Sequence, residues 1–522
     1  MKICLSKFKW YNRDNIWVTG YIRTLDRYSA DEELLNHFTG INSPEDFRQK
    51  LISANGQFSV IFELSGEIWA ATDRLRNYPL FYSFCDKEFI ISDDCYTLAR
   101  LQSDRKFNPV AIESFMQAGY AINNLTLLEN IYQVEAGQYI ISGKVIKTDF
   151  YDNLFSTAVT DRDPDIAAGE LNRLLNDVFR NHLEALRNRF IAIPLSGGYD
   201  SRLIASMCAK YHPENLICYT YGIKNNPDSV LANEVAGRLG FKMINIVYDD
   251  NLIKDYKQDS FFRNYFPYCA GLSSMFFMQE YFAVKYLKEK NLIPVDTVFI
   301  PGFSGDVLAG SHLHPEMERR YNADHIARTI FNDYFILVKS GKKGRSEIIR
   351  LLRGGIPPGN FDTWRIIEAW DIRERQAKFI VNSAKVYLFF GYDYVLPFFD
   401  DLLIDFFAKL PFRLKLYKKL YDHVLREIIF RGLNLNLKNE INPASETIAF
   451  QRLKEKIKKI LPAWINNMFI QIESPIFYDK ITRIMLNDID RDQIRTPRQS
   501  NYYNSYIIQW YLSETKKLLR IE

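Results

Sequence analysis

Ile191-Ala192-Ile193-Pro194-Leu195-Ser196-Gly197-Gly198-Tyr199-Asp200-Ser201 is the stretch on which the reading of this chain turns. An apolar run enters Ser-Gly-Gly-x-Asp-Ser, and Arg202-Leu203-Ile204-Ala205-Ser206-Met207 continues with helical character, so the order is strand, loop, helix. Glycines let a backbone approach an anion closely, and the start of a helix offers unpaired N–H groups and the positive end of its dipole. Ser196 and Ser201 bring hydroxyl donors, and Asp200 brings a carboxylate that can hold Mg²⁺ directly or through water. The loop therefore reads as a phosphate cradle. It is not a Walker loop, because no Gly-Lys-Ser/Thr follows at the required spacing. A plain glycine turn that happens to carry Asp and Ser is the competing reading, and the flanking strand and helix weigh against it.

The chain around this loop has 522 residues, enough for two or three domains, with 47% hydrophobic and 15% aromatic residues to fill large cores. A net charge of +4 gives a nucleic-acid partner no support. Six cysteines are scattered without a Cys-x-x-Cys pair, which argues against a zinc ribbon and for a reduced, intracellular protein. The first ten residues lack the apolar core of a signal peptide, and no run reaches the length of a membrane span. The expectation is a soluble cytoplasmic protein with no membrane partner.

Residues 1–150 read as β-rich. Gln57–Leu64 and Glu67–Thr72 around Ser65-Gly66 form a hairpin pattern, with further strands at Pro79–Phe84, Glu88–Ser92 and Gly137–Gly143. Pro44 and Pro109 mark helix starts, since proline suits the first turn. From about 166 the pattern changes. A helix over Ile166–Leu186 precedes the loop strand. A strand over Leu216–Gly222, a helix over Asp228–Gly240 and a strand over Phe241–Val247 follow it. Such alternation builds a parallel sheet with right-handed crossovers, and ligands then sit at the carboxyl ends of its strands. The loop and Tyr221-Gly222 converge there. Downstream, Thr297–Gly310 reads as another strand into a glycine turn, carrying Gly302 and Asp306 to the same edge as Asp200. Two carboxylates at that edge could hold Mg²⁺ against phosphates, and a mere N-cap is the alternative for Asp306.

Ser-Gly-Gly-x-Asp-Ser resembles the pyrophosphate loop of the ATP pyrophosphatases, which cleave ATP to AMP and pyrophosphate while activating a carboxyl or carbonyl oxygen. More of the chain is similar to the glutamine-hydrolysing asparagine synthetases. Gly56–Ile61 resembles that family's Gly-x-Phe-Ala strand, and Thr72-Asp73-Arg74 through Tyr82 its Arg-Asp-Arg-x-Gly-x-x-Pro-Leu-Tyr-Tyr segment. Ile91–Asp94 falls at its Ala-Ser-Glu, Thr297–Gly310 at its Ser-Gly-Glu-Gly-x-Asp-Glu turn, and Gly391–Asp400 at its Gly-x-Glu-x-Arg-x-Pro-Phe-Leu-Asp. Phe406–Pro411 and Val424–Arg426 follow in order. The resemblance implies an α/β plus α+β chain in three parts. Residues 1–150 would be a glutaminase-like, Ntn-hydrolase-like β-sandwich. Residues 166–435 would be a parallel-sheet ATP-pyrophosphatase (adenine nucleotide α-hydrolase-like) domain, and 436–522 a helical extension. It also implies ATP and Mg²⁺ as cofactors. Leu195, Ser196, Gly197, Gly198, Asp200, Ser201, Tyr221, Gly222 and Gly302 would bind the nucleotide, and Asp200 and Asp306 the metal.

The departures from the family pattern bear on chemistry. Glutamine hydrolysis there uses a cysteine exposed as the first residue, whose own α-amine is the base, but position 2 here is Lys2 and Cys4 lies inside the chain. The family's Asn-Gly-Glu segment reads Thr19-Gly20-Tyr21, without the amide and carboxylate that grip glutamine. The family glutamate of the second glycine turn is Phe303, the acid after Asp306 is Val307, and the arginine before Pro-Phe-Leu-Asp is Val395. The lysine expected to steady the departing pyrophosphate is Asp422, with Lys418 and Lys419 on the adjacent turn. What the resemblance then implies is an AMP-forming amide ligase. It would join a small-molecule or peptide carboxylate to ammonia or an amine without glutamine hydrolysis, as in relatives that close amide bonds in secondary metabolites. An ammonia-dependent asparagine synthetase and a non-catalytic nucleotide-binding scaffold are the alternatives. No catalytic side chain is assigned, and a homodimer is allowed rather than specified.

Other features are expected to be structural. His312 and His314 lack a cysteine to complete a tetrahedral metal set, so they read as loop histidines. Lys342-Lys343-Gly344-Arg345 and Lys454–Lys459 read as solvated surface, with a basic recognition patch as the alternative. Ser340–Asn360, with its glycines and Pro357-Pro358, reads as an excursion between helices, and Ser445–Leu461 and Tyr502–Arg520 read as helices.

Overall fold

The computed structural model describes residues 1–522 other than 24–27, 86–87, 144, 153–157, 213, 358–361, 438–473, 491–493, 496, 498–501 and 522. The expected helix Ser445–Leu461, the basic run Lys454–Lys459 and the second proline of Pro357-Pro358 lie outside the described residues.

Two stacked sheets make up the amino-terminal part. The larger contains β2 (Tyr11–Arg13), β3 (Ile16–Arg23), β4 (Tyr28–Ala30), β5 (Asn55–Leu64), β6 (Glu67–Thr72), β10 (Gln138–Ile141) and β11 (Lys147–Phe150). The smaller contains β1 (Lys2–Cys4), β7 (Phe81–Cys85), β8 (Glu88–Ser92) and β9 (Ile131–Gln133). Strand alternation decides the layering. Ile61, Ile68, Ala70 and Ile140 meet Tyr82, Phe89 and Ile91 between the sheets, whereas their neighbours Val60, Phe62, Trp69 and Ala71 pack outward on Leu34, Phe38, Phe47 and Leu51. The β5–β6 hairpin turns at Ser65 (φ 51°) and Gly66 (φ 77°), both left-handed, the geometry that suits the twist of a two-residue loop. As the prolines imply, α1 (Pro44–Ile52) and α3 (Pro109–Ala118) begin at them, α2 (Cys95–Leu101) lying between.

The second part is built on a sheet of five parallel strands: β12 (Ile191–Pro194), β13 (Leu216–Gly222), β14 (Met243–Val247), β15 (Val298–Phe299) and β16 (Asp393–Tyr394). Helices α4 (Pro164–Ala185), α5 (Tyr199–Tyr211) and α6 (Pro227–Leu239) cover it. The spatial order is β14-β13-β12-β15-β16. The chain thus winds outward from β12 on one side, then returns to β12 and winds outward on the other. A crevice opens at such a reversal, beyond the carboxyl ends of β12 and β15. A mixed α/β chain with a parallel sheet is what the sequence led us to expect.

The stretch Ser340–Asn360, read as an excursion between helices, contains a helix of its own over Lys342–Gly354, burying Ile348, Ile349 and Leu352 against Ile330, Phe331 and Trp364. Its apolar stripe outweighs Gly344, where a Cβ would come within 2.6 Å of Glu113 Cγ. Tyr502–Leu519 is helical as read. Among the described residues no helix is long and apolar enough to cross a membrane.

A buried ion cluster fastens the two parts together. Arg23 of β3 donates from Nη2 to Asp400 Oδ2 at 2.6 Å, His182 Nε2 of α4 lies 3.2 Å from the same oxygen, and Asn55 Nδ2 donates to Oδ1 at 3.2 Å. Burial pushes the Asp400 carboxyl up, but His182 and Arg23 together hold it down at about 2. Asp400 therefore contributes stability above its ordinary carboxylate range that disappears only as pH falls toward 2. Removing one partner strands a buried charge, so Arg23→Ala is expected to cost about 3–5 kcal/mol. Urea unfolding at pH 7 checks this, and a loss below about 1 kcal/mol would show that the cluster does not fasten the fold.

Candidate active site

The reversal point holds a cavity of about 610 Å³, lined from four directions. The loop Leu195–Ser201 leaves β12, Tyr221 lies next to last in β13, the turn Pro301–Asp306 follows β15, and Lys418 and Asp422 close the far side.

Within the first loop the serines hold its shape. Ser201 Oγ lies 3.0 Å from Ser196 Oγ and accepts from Ser196 N–H at 3.2 Å, while Gly198 N–H donates to Ser196 Oγ at 3.2 Å. Asp200 points across to the second turn. Its Oδ2 accepts the Asp306 N–H at 2.9 Å and its Oδ1 accepts the Tyr421 hydroxyl at 2.8 Å. Burial first, and the Asp306 charge second, push the Asp200 carboxyl up to about 7. Glycines make this apposition possible. A Cβ on Gly305 would sit 2.9 Å from Asp200 Cγ, and one on Gly302 2.7 Å from Ser201 N. Ser304, left-handed at φ 67°, precedes the short helix Gly305–Leu308 and donates to Gln376 Oε1 at 2.5 Å, so Asp306 sits in the first turn rather than at the cap.

The cavity is electrostatically one-sided. Asp200, Asp228, Glu280, Asp306 and Asp422 line it, and Lys418 is the one basic side chain among its described lining residues. Glu280 is buried between Tyr219 and the Tyr387 hydroxyl, which donates to Oε2 at 2.8 Å, and burial lifts it to about 7. Acids gathered with so little compensation are a setting for a cation. Among the described residues no three His, Cys, Asp or Glu side chains converge as a metal cage. The pair Asp200 and Asp306 fits Mg²⁺ in its usual manner, one or two carboxylates with the rest of its shell from phosphates and water.

Leu195, Ser196, Gly197, Gly198, Asp200, Ser201, Tyr221, Gly302 and Asp306 all line this cavity. Gly222 does not. Its carbonyl accepts the Tyr248 N–H, and the Pro475 carbonyl lies against it, accepting the Ile223 N–H at 2.8 Å. Tyr421 and Glu280 escaped the sequence reading, because their partners are 221 and 61 residues away and no local pattern joins them. His312 is half-buried beside Glu368 at 3.8 Å, outside the cavity.

A parallel sheet with a serine-glycine loop and two aspartates at its reversal point defines an α/β protein with a crevice at the carboxyl ends of its strands. The asparagine synthase family model matches residues 170–491, and the chain belongs to that family. A probable glutamine-hydrolysing asparagine synthetase of Acanthamoeba polyphaga mimivirus is 25% identical over 207 residues, which cover 38% of this chain and 36% of the relative. The chain thus spans little more than a third of that curated relative. Among solved structures, a glutamine phosphoribosylpyrophosphate amidotransferase from B. subtilis, complexed with ADP and GMP, aligns with 47% of this chain and 74% of its own, at 11% identity and a TM-score of 0.20. An NH3-dependent NAD synthetase from Campylobacter jejuni, in complex with nitrate, aligns with 38% of this chain and 99% of its own, at 14% identity and a TM-score of 0.20.

Proposed function

We propose that this chain is an ATP-dependent, AMP-forming amide ligase that adenylates a carboxylate and passes the acyl group to ammonia or an amine. The observation that carries the reading is the apposition of Asp200 and Asp306 beside the Ser196–Ser201 loop in a cavity large enough for a nucleotide and an acceptor. Ser196, Gly197, Gly198 and Ser201 cradle the β- and γ-phosphates, and Leu195 and Tyr221 flank the base. A carboxylate oxygen of the substrate bonds to the α-phosphorus as the bond to the β-phosphate oxygen breaks, giving acyl-AMP and pyrophosphate. The amine nitrogen then bonds to the acyl carbon, AMP leaves with its phosphate oxygen, and the amine loses a proton. Mg²⁺ held by Asp200 and Asp306 would neutralise charge on the phosphates. In this reading residues 166–435 form the synthetase unit, 436–522 a helical extension, and 1–150 an Ntn-type glutaminase scaffold without its reaction.

Three observations support the loss of glutamine hydrolysis. Cys4 lies within β1, its carbonyl accepting the Ser92 hydroxyl at 2.6 Å. The following segment is pinned by Asp93, which accepts from the Ser6, Lys7 and Phe8 N–H groups and the Trp10 indole at 2.9 Å each. Tyr21, buried and stacked on Tyr28 at 4.9 Å, fills the position of the lost carboxylate, and the space beside it is about 10 Å³, no more than one water occupies.

Pyrophosphate release from MgATP across a panel of carboxylates and amines tests the proposal. The expected result is release that needs one carboxylate and one amine or ammonium, is not supported by glutamine in ammonium's place, and is unchanged within about twofold by Cys4→Ala. Glutamine-driven release lost in Cys4→Ala would refute the scaffold reading. Aspartate and ammonium as the active pair would make the protein an ammonia-dependent asparagine synthetase. MgATP binding with no release for any pair would make it a nucleotide-binding scaffold.

A further inference from the structure

Within the turn Pro301–Asp306 the left-handed position (φ 67°, ψ 9°) falls on Ser304, not on Gly302 or Gly305. Glycine adopts that conformation freely and a Cβ disfavours it, so a serine there must be held in place. Its hydroxyl donates to Gln376 Oε1 at 2.5 Å. Gln376 is fully buried, and its Nε2 donates in turn to Asp371 Oδ2 at 3.1 Å. An ionised carboxylate only accepts, so Asp371 dictates which way round the amide sits and leaves its oxygen for Ser304. Beyond Ser304 the chain runs through Gly305 to Asp306, whose N–H makes the bond to Asp200.

The link from Asp371 to Gln376 depends on an uncommon backbone. Thr363–Asp371 is an α-helix, and Ile372–Ile380 continues it as a π-helix, the Val381 N–H donating to the Gln376 carbonyl five residues back. In an α-helix side chains five apart point about 140° away from each other, whereas the wider π turn brings such positions onto one face. The π turn is what lets Asp371 reach Gln376. The same helix is also fastened to the amino-terminal part. Glu374 accepts from Lys378 at 2.7 Å and from the Asn123 N–H at 3.2 Å, and Lys378 donates to the Asn123 carbonyl at 2.6 Å. Gln376 thus reaches Ser304 from a fixed support, behind the turn and outside the cavity lining.

We propose that Gln376 is a positioning residue of the nucleotide site: oriented by Asp371 across the π turn, it locks Ser304 in the left-handed conformation and so sets Asp306 against Asp200. The assignment rests on the reading of Asp200 and Asp306 as the pair that holds Mg²⁺, and it needs no acceptor substrate.

The test uses the full-length chain and MgATP as the probe, read by titration calorimetry, with melting temperature and pyrophosphate release beside it. Ser304→Ala keeps the Cβ and removes the hydroxyl, and Gln376→Met removes the acceptor. Each should weaken MgATP affinity roughly tenfold. Ser304→Gly lacks the hydroxyl too but is at ease in the left-handed region, so its affinity should stay within about threefold of the wild type. Gln376→Met/Ser304→Gly should recover most of the loss in Gln376→Met, while its melting temperature stays low because Asp371 still lacks its amide donor. Binding that returns without stability separates positioning from a structural contribution. Unchanged affinity in Ser304→Ala overturns the assignment. An equal loss in Ser304→Gly and Ser304→Ala does so as well, and that comparison decides even where Gln376→Met fails to fold. A loss in Gln376→Met that glycine at 304 does not restore also overturns it, because that marks a structural role. A wild-type chain that binds no MgATP overturns this assignment and the ligase reading together. A chain that shows the expected pattern of affinities yet releases no pyrophosphate with any carboxylate and amine refutes the ligase reading and leaves the assignment standing.

Discussion

Asp200→Asn is expected to lower pyrophosphate release by about three orders of magnitude or more, while making the folded chain more stable at pH 8. Both halves have the same cause. Asp200 is half-buried with its two oxygens on the Asp306 N–H and the Tyr421 hydroxyl, and desolvation together with the Asp306 charge lifts its carboxyl to about 7. In an unfolded chain the same group titrates near 3.8. The folded state thus binds the proton more tightly than the unfolded state, and this contribution to stability, complete below about 3.8, is lost as pH rises through 7. Asparagine keeps the shape and never ionises. The stabilisation above pH 7 should be on the order of 2–4 kcal/mol, and it should vanish by pH 4. Denaturant unfolding of both proteins at pH 4 and pH 8 reads it directly.

If Asp200 holds Mg²⁺ as proposed, the same carboxyl sets the pH dependence of that binding. A proton and Mg²⁺ compete for it, so apparent Mg²⁺ affinity in the presence of ATP should fall about tenfold per pH unit below 7 and level off above. Asp200→Asn should abolish that slope. A variant that still releases pyrophosphate at the wild-type rate, or one less stable than wild type at pH 8, would remove Asp200 from the centre of the site.

How far the sequence reaches depends on whether the deciding contacts are local. The β5–β6 hairpin was legible because Ser65-Gly66 and the alternating residues around it determine turn and register by themselves. The strand, loop and helix from Ile191 were legible for the same reason. Lys342–Gly354 was not, because glycines at both ends and within it hide a stripe that only Ile348, Ile349 and Leu352 reveal. The side of β12 on which β15 inserts is a property of the whole sheet, and nothing near Val298 announces it. The hydroxyl on Asp200 comes from Tyr421, and the left-handed pair at Tyr417 and Lys418 uses residues with no tendency toward that conformation. Local pattern located the Ser196–Ser201 loop at the end of β12; the groups that surround it came from chain distant in sequence.

Gly302→Ala should be the most damaging small change in the site. The added carbon would lie 2.7 Å from Ser201 N, 3.1 Å from Ser201 Cα and 3.2 Å from Asp200 C, all backbone, so no side chain can rotate away to admit it. The second glycine turn must then retreat from the first loop, which pulls the Asp306 N–H off the Asp200 carboxylate. Overpacking of this kind costs roughly 1–3 kcal/mol of stability, and misplacing reacting groups by about 1 Å costs on the order of 100-fold in rate. Gly197→Ala is the informative comparison. Its Cβ would come within 2.6 Å of Leu231 Cδ1, the flexible end of a side chain, and its damage should be several-fold smaller. Pyrophosphate release and urea unfolding of the two variants give the order. A Gly302→Ala chain that turns over at the wild-type rate would mean the loops can part without consequence. The apposition of Asp200 and Asp306 would then be a packing feature, and the metal would have to be held elsewhere.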